Sequence, residues 1–281
     1  MVTYAELIGR KRESTPSYDE EKVMLYALGV GLGLDPLDEQ QLEFVTESAL
    51  QVLPSFATVA AWDIGFTLEL GIEWSKLIHA AQHIETFAPM PARAQLRTTT
   101  RTLAAFKKRA GTFIVNETDV FDQQTDNRLA RLESVSLARD FFVEGTPEGS
   151  PPKRHAHPQR PADKIVSIET SPQVALIYRL LGGRSDIHSS PRAARAQGFD
   201  GPIMHGLSTW GHACHALLRS ECGYDSTRMK SFSARFSAPV YPGERLAVSI
   251  WRADKEAFFE VTSESRDVVV LSEGHTCVAP P

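Results

Sequence analysis

The chain has 281 residues, of which 42% are hydrophobic and 23% charged, with a formal net charge of −5. This composition supports a globular protein with a real core. It excludes the basic footprint of a nucleic-acid or anionic-membrane binder, and no run of about 18 apolar residues exists to span a bilayer.

Taken in chain order, the N-terminus "MVTYAELIGRKRESTPSYDEEK" is charged and lacks the apolar stretch of a signal peptide. "SYDEEKVMLYALGVGLGLD" reads as a helix ending in Gly29, Gly31 and Gly33. Those glycines resemble a phosphate loop only superficially, because no strand precedes them and no Lys-Ser/Thr follows. "LPSFATVAAWDIGFTLEL" is an apolar, helix-like stretch with Pro54 near its start. Three alternating segments follow, "QLRTTTRTL", "GTFIVNETDVF" and "LARLESVSLA", each patterned as a strand with one buried face. Residues 142–164 are rich in Pro, Gly and charge and read as a linker.

The second half repeats the order of the first. "SPQVALIYRLL" is helical in pattern, a glycine-rich loop then presents His188, and "MHGLSTWGHACHALLRS" puts Leu207, Trp210, Cys214, Leu217 and Leu218 at helical spacing. "RLAVSIWRA", "AFFEVTSES" and "VVVLSEGHTCV" are its three strands. The segments from Phe87 and from Phe236 both open on Ala-Pro, a second Pro and a Leu that enters an alternating run. Periodicity therefore gives an α+β chain with a duplicated unit. The three cysteines, Cys214, Cys222 and Cys277, are odd in number and without paired spacing, which points to reduced thiols and a cytoplasmic location.

"YRLLGGRSDIHSSPRAARAQGFDGPIMHGLSTWG" resembles the signature of the MaoC-like dehydratases, in particular the two-repeat (R)-specific 2-enoyl-CoA hydratases called hydratase 2. The family pattern is Tyr-Arg-Leu-Ser-Gly-Asp-x-Asn-Pro-Leu-His, then Gly-Phe-Asp-x-Pro-Ile-Leu-His-Gly-Leu. "RFSAPVYPGERL", "VMLYALGVG", "LPSF" and "KLIHAAQHIETFAPMPARAQL" extend the likeness over nearly the whole chain. The resemblance implies a double hot-dog fold, two tandem repeats each with a long helix wrapped by an antiparallel sheet. Residues 1–143 would form a degenerate repeat that accommodates the acyl chain, 144–164 a linker, and 165–281 the repeat that carries the chemistry. It also implies reversible hydration of a trans-2-enoyl-CoA to a (3R)-3-hydroxyacyl-CoA, with coenzyme A thioester as substrate and neither metal nor redox cofactor. Monomer and homodimer both fit a double hot-dog chain.

Carried over position by position, Tyr178, Arg179, Leu180 and Gly182 match the pattern, His188 falls on the catalytic histidine, and His205 and Gly206 on the His-Gly pair. The Gly206 N–H is the expected oxyanion donor. The catalytic Asp position, however, holds Gly183, the Asn position Ser185 and the Pro position Asp186. A glycine can neither hold nor transfer a proton. Either Asp186 takes over, or His188 works with water or another carboxylate such as Glu47, or the protein binds acyl thioesters without hydrating them. Hot-dog thioesterase chemistry is a further alternative. Tyr26 and Glu47 correspond to residues near the active site in long family members, and His79 to a family histidine with a structural role. Arg192 and Arg195, with Lys230 and Arg235, are candidates to meet the coenzyme A phosphates. His205, His212 and His215 lie on one helix without the ligand set of a metal site.

Overall fold

The computed structural model describes residues 2–147 and 149–280. Its framework is an 11-stranded sheet in which every pairing is antiparallel. The strands are β1 (Lys11–Ser14), β2 (Ser17–Tyr18), β3 (Leu77–Thr86), β4 (Ala94–Lys108), β5 (Gly111–Asp122), β6 (Arg128–Arg139), β7 (Lys164–Glu169), β8 (Met229–Phe236), β9 (Arg245–Ala253), β10 (Glu256–Ser263) and β11 (Val268–Val278). Their order is β1-β4-β5-β6-β3-β8-β11-β10-β9-β7, with β2 on β4. The sequence of strands outward from the β3–β8 joint is thus the same in both directions, the mark of two repeats related by an approximate two-fold axis. Ile84 faces Phe232 and Gln82 faces Ala234 across that joint.

The six strands read from alternation are all present as β4–β6 and β9–β11. The two joint strands were not expected, and "LIHAAQHIET" and "MKSFSARF" show why. Their inward positions carry Gln82, Ser231 and Ala234 as often as large apolar groups, so the alternation that marks a strand is weak. The short edge strands β1, β2 and β7 also escaped the pattern.

Eight α-helical segments accompany the sheet: α1 (Tyr4–Ile8), α2 (Glu20–Leu28), α3 (Glu39–Leu42), α4 (Ala57–Ala60), α5 (Gly65–Leu68), α6 (Val174–Tyr178), α7 (Pro191–Ala196) and α8 (Gly206–Leu217). Ten of the twelve residues of α8 are buried, including Trp210 and Leu217 at 0% exposure. A helix enclosed on all sides must satisfy its polar groups internally. Ser208 Oγ donates to the Gly29 carbonyl at 2.9 Å, and His212 Nδ1–H to the Ser208 carbonyl at 2.8 Å. His215 Nδ1–H donates to the Val30 carbonyl at 3.3 Å, and its Nε2 accepts from Tyr224 at 3.2 Å. The glycine-rich segment after α2 is therefore the cover of this helix, not a phosphate loop. Gly31 has a φ of +85°, and a Cβ there would stand 3.0 Å from the His212 ring. On the facing side, a Cβ at Gly211 would lie 2.4 Å from Val30.

The first repeat lacks the matching long helix that its apolar stretch suggested. The stretch is broken into a 3₁₀ turn (Pro54–Phe56), α4 and α5. Asp63 causes part of the break: it accepts from the Phe66 N–H, starting a new helix, and pairs with Arg12 at 3.2 Å. The linker is also more than a spacer. His155 stacks on His275 at 4.0 Å, His157 stacks on Trp251 at 4.2 Å, and Trp251 Nε1–H donates to the Arg160 carbonyl at 2.7 Å. These contacts lay the segment as a strap over the outer face of the second repeat.

Burial pushes the His212 pKa down to about 4 and the His215 pKa to about 3. Both are neutral in the folded protein and accept a proton on unfolding. Their stabilisation is present above the ordinary value of about 6.5 and is lost as pH falls toward the folded values, at up to about 1.4 kcal/mol per pH unit for each. His212→Gln, which cannot titrate, is expected to remove about that slope between about pH 6 and about pH 4.5. Urea melts across this range check it, and an undiminished slope would contradict the assignment.

Candidate active site

The loop between α6 and α7 and the start of α8 meet at one end of a cavity of about 740 Å³. Gly182 ends the turn after α6 with a φ of +127°, a conformation that suits glycine. Gly183 follows, and a 3₁₀ turn over Asp186–His188 then places His188 against the first turn of α8. His188 Nδ1–H donates to the Ile203 carbonyl at 2.9 Å, which leaves Nε2 as the lone-pair nitrogen of the neutral ring. Burial lowers its pKa from the ordinary histidine value, with the Ile203 bond partly offsetting.

His205 lies against it, the two rings stacked with centroids 3.6 Å apart and planes at 24°. His205 Nε2–H donates to the Gly183 carbonyl at 2.6 Å, and its Nδ1 is buried without a partner. Burial, then the neighbouring His188, push its pKa down to about 3, so it stays neutral when His188 takes a proton. Tyr178 closes the other side of the His205 ring at 5.0 Å; burial raises its hydroxyl pKa. Gly206 is the first residue of α8, where N–H groups have no intrahelical acceptor and the helix dipole favours negative charge. A Cβ at Gly206 would meet the Phe236 ring at 3.3 Å, so glycine keeps this turn open on the cavity side.

Gly183, Ser185, His188, Tyr178, His205 and Gly206 therefore converge on the cavity wall. Five expected residues do not: Asp186, Glu47, Tyr26, Arg192 and Arg195. Asp186 is exposed and off the cavity wall, its carbonyl accepting from Ser189 and Ser190 at the turn, so the two-residue spacing to His188 does not bring their side chains together. In a 3₁₀ turn, residues two apart point in different directions. Glu47 is exposed on a 3₁₀ turn (Glu47–Ala49), also off the cavity wall. Tyr26 is fully buried in the core against Phe56 and Tyr178, and burial raises its pKa strongly. Arg192 and Arg195 are exposed on α7, next to the Gln197 and Phe199 wall. Arg235 is drawn to Glu273 at 3.8 Å, and Lys230 is exposed on β8 beside a separate, smaller crevice. His205, His212 and His215 each donate one ring N–H to a different backbone carbonyl, and among the described residues they do not converge as metal ligands. Glu256, His275 and Cys277 bring ligand atoms within 4.8 Å of one another, but away from this cavity on the sheet's outer face.

Sequence reasoning missed the other half of the cavity wall. Asp63 is the one carboxylate residue lining it among the described residues, and it is held by Arg12. Trp62 stands 3.5 Å from where a Gly183 Cβ would be. His79 also lines the cavity, its ring tilted at 54° against Phe236 with centroids 4.9 Å apart; burial takes its pKa down to about 4, the Ala81 backbone and Gln82 side chain partly offsetting. A signal was available in "QLRTTTRTL": Thr98, Thr100 and Thr102 occupy the buried face of β4, where a packed core would carry Val or Ile.

Residues 153–273 match the MaoC like domain, and residues 17–140 match the MFE-2 hydratase 2 N-terminal domain. The chain is 34% identical to enoyl-CoA hydratase ChsH3 of Mycobacterium tuberculosis, with 92% of each covered. It is 30% identical to the peroxisomal enoyl-CoA hydratase 2 of Arabidopsis thaliana, covering 92% of this chain and 90% of that one. A crystal structure of a MaoC-like dehydratase from Phytophthora capsici superposes over 100% of both chains with a TM-score of 0.87 at 25% identity. A Mycobacterium tuberculosis protein described as a double hot-dog fold aligns with a TM-score of 0.54 at 13% identity, a likeness of fold.

A Cβ at position 183 would lie 3.0 Å from His205 Cδ2 and 3.2 Å from its Nε2. Gly183→Ala is therefore expected to push His205 aside by a few tenths of an ångström and to cost roughly 1–3 kcal/mol of stability, as overpacking does. Denaturant melts measure it, and a neutral result would show that the stacked pair yields freely. Two repeats in mirrored order, a single enclosed helix whose N-terminus faces a histidine, and these matches along nearly the whole length together show that the chain belongs to the MaoC-like dehydratase family, in its two-repeat hydratase 2 form.

Proposed function

We propose that the protein catalyses the reversible hydration of trans-2-enoyl-CoA to (3R)-3-hydroxyacyl-CoA, with His188 as the group that moves the proton. The observation that carries this reading is His188 fixed as an Nε2 lone pair beside the Gly206 N–H at one end of the cavity. Water adds to C3 as His188 Nε2 takes one of its protons. The C2–C3 π pair shifts toward the thioester, forming an enolate whose oxygen accepts from the Gly206 N–H. The proton on Nε2 is then delivered to C2, and the carbonyl re-forms. One imidazole can serve both steps because water and C2 stand on the same face of the alkene. The neutral His205 ring, stacked under the transient imidazolium, stabilises it without competing for the proton. Ser185 lies within the same wall, and its hydroxyl is the group this reading assigns to hold the attacking water.

This reading asks only for acid/base groups and an oxyanion donor, so it assigns no resident metal or redox cofactor. Arg192 and Arg195, exposed on α7, are the cations this reading offers to the phosphates of coenzyme A. Among the described residues no helix is long and apolar enough to cross a membrane. The three cysteines are free thiols, which supports a reducing, cytoplasmic setting.

His188→Ala is expected to lower kcat/KM on crotonyl-CoA by about 10²- to 10⁴-fold, followed as loss of the conjugated absorbance. The acid limb of kcat/KM should fall below the ordinary histidine value, since burial lowers the His188 pKa and the base must be neutral. Asp186→Asn is expected to stay within about twofold of wild type, and a large loss there would return the second proton to Asp186. Absence of turnover with every chain length would leave an acyl-thioester binder, while release of free thiol would indicate a thioesterase.

A further inference from the structure

The cavity continues from the histidines into the first repeat, where the missing helix leaves the inner face of the sheet uncovered. In the second repeat the equivalent face packs α8 with Leu246, Val248, Ile250, Phe259 and Val261. The first repeat's face differs in kind. Gln82, Ser134, Asn116 and Thr102 form one row straight across β3, β6, β5 and β4. Thr118 and Thr100 are paired in the neighbouring row, their hydroxyls 2.9 Å apart. Of these, Gln82, Ser134, Asn116, Thr118 and Thr100 line the cavity directly, with Ser136 and His79 beside them.

The protein alone does not use the full hydrogen-bonding capacity of this floor. Asn116 accepts from Thr102 at 2.9 Å and donates to Thr67 at 3.3 Å, leaving one N–H and one lone pair of its carboxamide. His79 Nε2 is buried without a partner. Among the described residues the Ser134 and Ser136 hydroxyls have no protein hydrogen bond, and both open on the cavity. An alkyl chain laid on this surface would desolvate these groups with nothing in return. Apolar walls lie nearer the reacting end, from Leu181, Ile187, Met204 and Val240. At its remote end the polar floor of β3–β6 faces apolar walls from Ile64, Phe66, Leu77 and Leu132, so unpaired hydrogen-bonding groups are confined to the floor.

We infer that the physiological acyl group carries hydroxyl or oxo oxygens remote from the thioester, and that the row Gln82–Ser134–Asn116, with Thr118, reads them. This deepens the hydratase reading and rests on it. A site built to hydrogen-bond an oxygen discriminates strongly against the analogue that lacks it, because its own polar groups are then unpaired.

The test compares trans-2-enoyl-CoA substrates of eight, ten and twelve carbons with their ω-hydroxy counterparts, alongside crotonyl-CoA, which is too short to reach the floor. At the length that spans the cavity, kcat/KM is expected to favour the hydroxylated chain by about tenfold or more. Asn116→Leu and, separately, Thr118→Val should reduce that ratio toward one. The ratio cancels any general loss of activity in a variant. A wild-type ratio at or below one for every length overturns the inference, as does a ratio that neither variant moves. Calorimetric affinities for saturated acyl-CoA and ω-hydroxyacyl-CoA read the same preference without turnover. Failure of hydration leaves this preference measurable, and failure of the preference leaves crotonyl-CoA hydration untouched.

Discussion

The enclosure of α8 is the constraint on which the other features rest. A helix surrounded by sheet and by the glycine-rich cover has nowhere to send an unpaired polar group except along its own axis. Its polar side chains turn to the covering segment or back to the helix itself, Ser208 and His215 to Gly29 and Val30 and His212 to the Ser208 carbonyl. Only its first turn opens outward, and that turn faces His188. The position of the Gly206 N–H is in this sense set by core packing. Gly31 and Gly211 help fix the depth of the helix, because each lets a neighbouring group approach it closely.

The two repeats have put the same architecture to opposite uses. In the second, the sheet grips a long helix whose first turn opens on His188 and the cavity. In the first, Asp63 interrupts the corresponding helix and its capping bond begins a new short turn. The volume so released is joined to the reacting end as one cavity. Removing a helix from a core would ordinarily leave a collapsing apolar void. Here the uncovered sheet face carries threonines, serines, asparagine and glutamine, groups that tolerate water and give the space a reason to persist.

How much of this could be read from the residues varied with the strength of the local signal. Six strands with clean alternation and the helix α8 were legible, and so was the constellation from Tyr178 to Gly206, since long ordered motifs carry loop and helix-start positions together. The joint strands β3 and β8 were not legible, because a strand paired on both edges can carry Gln82 or Ala234 inward without an alternating signature. The placement of Asp186 was not legible either. Its direction depends on whether the backbone runs extended or turns, and that choice is made by the packing of the Asp186–His188 turn against Ile203. Glu47 and Tyr26 show the limit of carrying positions from relatives: one is on the surface and the other in the core, although the segments around both align.

The β3–β8 joint has a consequence for how the protein comes into being. The two strands pair with one another across about 150 residues of intervening chain, a separation that is costly to close. During synthesis β3 emerges early, with one edge taken by β6 and the other bare until β8 follows. Unpaired strand edges are the surfaces through which nascent chains stick to one another. Its bare edge carries His83 and Glu85 on the partly exposed side, polar groups that make poor adhesive. The polar character that hid β3 from a reader of the sequence thus protects the half-made protein while it waits for its second repeat.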